Sequence, residues 1–81
     1  MDPEATLRDL LAAVDDRDWD LVEELSEALL TWLQKRGFPP QTLGPKELGR
    51  GWHRAIAEFI CYLAKSRARD ARKRRKKKGA A

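Results

Sequence analysis

The chain has 81 residues, with 17 Lys or Arg against 13 Asp or Glu and a formal net charge of +4. A chain this short forms one domain at most and buries only about 60% of the surface that its unfolded form exposes, which leaves a tight three-helix bundle or a self-associating helical unit. Its single cysteine, Cys61, excludes an intramolecular disulfide and a cysteine-based metal site, and no apolar run is long enough to span a membrane.

The first predicted helix covers residues 3–15. Asp2 can cap it, Pro3 suits its first position, and Glu4 places negative charge in its first turn. Leu7, Leu10, Leu11 and Val14 then recur at i, i+3, i+4 and i+7, which makes one apolar stripe. The acidic Met1-Asp2-Pro3-Glu4 opening has neither the positive charge nor the apolar core of a secretory signal. A soluble cytoplasmic protein is the expectation.

A linker of two or three residues predicts an antiparallel second helix, over residues 18–36, capped by Asp16 or Asp18. Trp19, Val22, Leu25, Leu29, Trp32 and Leu33 form its main stripe, and Leu21, Ala28 and Leu30 widen it. A stripe so broad is expected of a helix with two neighbours. Gly37 reads as the left-handed stop, with Phe38 as its apolar follower, and Pro39-Pro40 opens a loop. This stretch, from Asp18-Trp19 through Leu33 to Gly37 and Pro39-Pro40, resembles the second helix of a tetratricopeptide-type unit. The chain is too short for the three stacked repeats of an array, so the resemblance implies a helix hairpin and no function.

The third predicted helix covers residues 45–72, with Gly44-Pro45-Lys46-Glu47 at its start and Gly49 and Gly51 loosening the opening turn. Leu48, Trp52, Ala55, Ile56, Phe59, Ile60 and Leu63 keep one helical phase. The stripe predicts that Trp52, Ile56, Phe59 and Leu63 pack on Leu10, Leu11, Val22, Leu25 and Leu29. Beyond Ala64 no residue larger than alanine is apolar, so fraying is expected by Lys73 and disorder after Gly79.

Charge divides the chain unequally. Residues 1–64 hold seven basic and twelve acidic groups, a net of −5, while residues 65–81 hold ten basic groups and Asp70, a net of +9. Lys65, Arg67, Arg69, Arg72, Lys73, Arg74, Arg75, Lys76, Lys77 and Lys78 are therefore the candidate binding residues for an anionic polymer, through its phosphates. They surround the rod and leave no apolar face, which argues against a membrane-surface helix. The chain has no asparagine, and arginines alone make a weak case for reading bases. The competing account of the same run is a solubilising tail, or an intramolecular partner for Asp20, Glu23, Glu24 and Glu27.

Other residues point to no chemistry. Asp16, Asp18 and Asp20 alternate as calcium ligands would, but Leu21 stands where a calcium loop turns on glycine, so capping and a solvated face are the reading for this acidic cluster. Trp19, Trp32 and Trp52 lie on apolar stripes, whereas Tyr62 falls off the main stripe and is expected to be exposed. His53 and Cys61 are eight residues apart, about 12 Å on a helix, too far for a thiolate–imidazole pair. His53 reads as a boundary residue and Cys61 as a small packed one.

The expectation is an all-α fold: a small three-helix bundle, or a helical hairpin plus a long third helix that runs into a basic, fraying C-terminal tail. Residues 1–64 form the helical domain and residues 65–81 the tail. No enzymatic activity, cofactor or metal is expected. The partner is an anionic polymer, RNA or DNA, with a protein partner or a second copy as the alternative, and no membrane.

Overall fold

Local signals set the helix starts. In the computed structural model, which describes the backbone of residues 1–80 and the side chains through Arg74, α1 spans Pro3–Asp16 and α2 spans Trp19–Gln34. A single 3-10 turn, Lys46–Leu48, leads into α3, Arg50–Ala80, and there is no strand among the described residues. The all-α expectation holds. Asp2 caps α1, its carboxylate accepting from the amides of Glu4 at 3.1 Å and Ala5 at 3.2 Å. Asp18 caps α2 by accepting from the Leu21 amide at 3.3 Å.

The helix stops are less conventional. α1 ends on Arg17 and α2 is followed by Arg36, both left-handed at φ 58° and 63°. At the end of α2, Arg36 N–H donates to the Leu33 carbonyl and Gly37 N–H to the Trp32 carbonyl, the paired bonds of a Schellman stop. The left-handed residue is therefore Arg36 and not Gly37, and α2 ends two residues earlier than expected. Gly37 is needed for space: a Cβ there would lie 2.3 Å from the Trp32 ring.

Side chains from both flanking helices hold the loop after α2. Trp32 Nε1 donates to the Phe38 carbonyl at 2.8 Å, and Trp52 Nε1 donates to the Leu43 carbonyl at 2.7 Å. His53 Nδ1 accepts from the Thr42 amide at 2.9 Å, and its Nε2 donates to the Pro45 carbonyl at 3.0 Å. A backbone N–H can only donate, so Nδ1 is the acceptor and Nε2 carries the proton. His53 is thus buried rather than at the boundary. Gly49, at φ 94°, supplies the left-handed link between the 3-10 turn and α3. That link moves the α-helical start from the expected residue 45 to Arg50.

α2 lies between the other two helices, as its broad stripe predicts. Leu7, Leu10 and Ala13 of α1 meet Val22, Leu29, Leu30 and Leu33 of α2 in one core, with Trp19, Leu25 and Trp32 partly buried against it. Leu11, expected in the core, is half exposed. From α3 the buried apolar residues are Ala57, Cys61, Ala64 and Ala68. The expected core stripe of α3 is mostly outside instead: Phe59 is 66% exposed, Leu63 52% and Trp52 47%, while Ile56 is half-buried. Tyr62 is exposed as expected.

Charge complementarity accompanies this orientation of α3. Asp70 follows Trp52 by eighteen residues, about five full turns at 3.6 residues per turn, so it shares the phase of Trp52. With the large stripe turned inward, Asp70 would face the acidic start of α2. With the alanine stripe inward, Lys65 lies 3.7 Å from Glu27, and Arg72 reaches Asp20 at 2.6 Å and Glu23 at 3.0 Å. Moving seven residues along α3 moves seven residues back along α2, so the two helices are antiparallel. This register places buried Ser26 level with Ala64 and Ala68, and small residues at a contact allow the close end of the usual interaxial range, about 8 Å. The same anchoring keeps α3 helical at Lys73, where fraying was expected. The expected disorder after Gly79 concerns residues whose side chains lie outside those described, as does the whole of Ala81.

The stops generate a test. Arg17→Gly and Arg36→Gly should each raise the unfolding free energy by about 0.5–1 kcal/mol, the left-handed penalty less the glycine's chain entropy. Gly37→Ala should lower it by forcing Trp32 off Phe38. Urea unfolding followed by circular dichroism checks the three signs together.

Candidate interaction surfaces of the third helix

α3 does different work along its length. Its first turns hold the loop through Trp52 and His53. The Arg50 guanidinium also lies 4.2 Å from the centre of the exposed Phe38 ring, which ties the loop to the start of the helix. Its middle turns an apolar face to solvent. From Lys65 onward it is cationic.

The ten candidate basic residues fall into three groups. Lys65 and Arg72 are engaged with α2, the Arg72 guanidinium bridging Asp20 and Glu23. These side chains are largely solvated, so each pair is worth at most about 1 kcal/mol and weakens with salt. Arg67, Arg69, Lys73 and Arg74 are exposed and have no acidic partner among the described side chains. The side chains of Arg75, Lys76, Lys77 and Lys78 lie outside those described. The structure therefore makes the acidic face of α2 an intramolecular partner for part of the run and leaves four described cations open on a helical rod.

Ahead of the cations lies a surface that the sequence reading placed in the core. Trp52, Phe59 and Leu63 project from one side of α3, flanked by exposed Tyr62 and half-buried Ile56. Exposed Leu48 in the 3-10 turn and Leu43 in the loop extend the apolar surface towards the start of the helix. Single exposed apolar residues are ordinary, whereas a run of large ones on one helix face marks a contact surface. The signal was present as a stripe with a 3.6-residue period. Periodicity shows that one face is apolar and does not show what covers it.

The two residues weighed for nucleophilic chemistry are both held in place. His53 has both ring nitrogens committed to the loop. Cys61 is fully buried, and its thiol is pushed up from 9.0 to about 11, first by burial and then by the Glu58 carboxylate, with Lys65 partly offsetting them. At neutral pH it stays protonated and is a poor nucleophile. The acidic cluster is also used in the fold, Asp18 as a cap and Asp20, Glu23 and Glu27 as partners of α3. Among the described residues no group of three or more His, Cys, Asp or Glu could hold a metal ion, and no helix is long and apolar enough to cross a membrane.

No family model matches the chain, and neither a curated protein nor a solved structure matches it.

The thiol gives a pH test. Folding favours the protonated thiol, so its contribution is complete below about pH 9 and is lost as the pH rises towards 11. The stability difference between wild type and Cys61→Ala should be flat up to pH 9 and then narrow in favour of the variant. Denaturant unfolding at steps from pH 7 to 11 measures it.

Proposed function

We propose that this chain is a small non-enzymatic helical protein whose α3 extension holds an anionic polymer, RNA or DNA, by its phosphates. The observation that carries the reading is the open set Arg67, Arg69, Lys73 and Arg74. These cations stand on a helix whose neighbouring turns are anchored to the body. The basic residues from Arg75 to Lys78 continue the same run in sequence. Cations on an ordered rod lose less freedom on binding than cations on a coil, and each phosphate they neutralise releases a counterion. The body carries a net −5 and repels the polymer, which directs it to the basic end. Binding of this kind is indifferent to base sequence, because phosphate contacts position a polymer without reading it.

A second reading has support of its own. The exposed apolar face of α3 suits a helical protein–protein module, with the basic run serving solubility and the ion pairs to α2.

Fluorescence anisotropy with labelled single-stranded RNA and duplex DNA tests the first reading. Affinity should fall steeply with salt, with a logarithmic slope of about −0.7 per neutralised phosphate on single strands and about −0.9 on duplex. Replacing Arg67, Arg69 and Lys73 by Glu should abolish binding, whereas Arg72→Ala should weaken it less because Arg72 is shared with Asp20 and Glu23. Asp20→Asn with Glu23→Gln should strengthen it by releasing Arg72. Absence of binding at low salt on either polymer would reject the reading.

A further inference from the structure

The outer face of α3 is apolar over about three turns, and no other element covers it among the described residues. Trp52, Ile56, Phe59 and Leu63 follow one another at steps of four, three and four. That is the alternation of four and three by which one helix keeps a seam facing a partner helix. A lipid surface or a set of stacked bases calls for cations interleaved with the rings. Here the two are separated along the helix. Arg54, beside the rings, is taken by Glu58 at 2.9 Å. Arg50 at the start of the helix lies over the Phe38 ring, and Arg67 follows Leu63 by one turn at the far end. An apolar seam whose cations stand at its two ends fits another apolar helix.

We infer that the seam is covered by a second copy of this chain, α3 against α3 in antiparallel orientation, with the twofold axis near Phe59. Self-complementarity is the first reason. A twofold contact has to match its own face reversed. Reversal about Phe59 sets Ile56 opposite Tyr62 of the second copy. It sets Ala55 opposite Leu63 and Trp52 opposite Ser66, a small residue against a large one in both cases. Phe59 meets its own copy at the centre.

Charge fixes the direction. Parallel helices would bring two basic runs within about 8–10 Å, close to one Debye length at physiological salt. The antiparallel arrangement sends them to opposite ends, with the two Arg67 residues roughly 24 Å apart by helical rise. Area is the third consideration. Rings about half exposed at Trp52, Phe59 and Tyr62 supply roughly 300 Å² per copy, and the aliphatic neighbours bring the seam near the lower end of specific interfaces, about 600 Å² per partner. The dimer therefore dissociates on dilution. Such a dimer presents two cationic arms pointing in opposite directions, which a single polymer could engage together. The dimer itself does not depend on polyanion binding.

Sedimentation of the nuclease-treated full chain in high salt tests it where nucleic-acid contacts are suppressed, so its failure and that of the polyanion reading are distinguishable. The mass should rise with concentration from 9.3 kDa to about twice that value. Phe59→Glu sets two carboxylates against each other on the axis and should remain monomeric throughout. Its circular dichroism should be unchanged, because Phe59 is exposed in the monomer. Direction is read by oxidative cross-linking in a Cys61→Ala background. An Ala55→Cys and Leu63→Cys mixture should cross-link, and either variant alone should not. A monomer at every concentration, a Phe59→Glu dimer, or efficient cross-linking of the single variants would overturn the proposal. So would a monomeric wild type whose tryptophan emission shifts on anionic vesicles or on RNA, which would assign the face to lipid or to bases.

Discussion

The structure depends on which way α3 is turned. The helix has two apolar faces, one of small residues at Ala57, Cys61, Ala64 and Ala68 and one of large residues at Trp52, Phe59 and Leu63. Area alone favours burying the large face, because buried apolar surface contributes about 25 cal/mol per Å². The opposite orientation satisfies several constraints together. His53 reaches the loop, Lys65 and Arg72 reach the acids of α2, and Asp70 is kept away from them. No single ion pair here is strong. Together these constraints are met in this phase, which leaves the large face uncovered among the described residues.

The division of labour along α3 follows from that orientation. The loop after α2 is fixed by indole and imidazole groups that would otherwise need partners in the core. The middle of the helix is left with an apolar face that nothing covers among the described residues. The basic end is split between residues that close on α2 and residues that stay open. The acidic face of α2 holds the near part of the cationic run in a defined direction and repels any polyanion that approaches the body.

Some of this was legible residue by residue. Asp2-Pro3-Glu4 and Asp18 announced their helices because a cap is a contact between near neighbours in sequence. The breadth of the α2 stripe announced two neighbours. Gly37 was legible as a special position, but the reason lay elsewhere: the Trp32 ring occupies the space, and Arg36 takes the left-handed turn. The loop bonds of His53 were not legible. They join residues eleven and eight apart through a loop whose path is set only when α3 docks. Arg72 with Asp20 spans 52 positions: charge alone named the acids of α2 as partners of the basic run, and only the docked helices decide which cation meets which acid.

The sequence by itself determined three helices, the starts of the first two, and a molecule with an acidic body and a basic end. Capping, periodicity and net charge are properties of neighbouring residues and survive any arrangement of the helices. Only the tertiary structure decided the phase of α3. The choice rests on contacts between residues far apart in the chain, and a stripe with the helical period carries no information about which neighbour it meets. That decision moved Trp52, Phe59 and Leu63 from the expected core to the surface, where they form an apolar face ahead of the basic run.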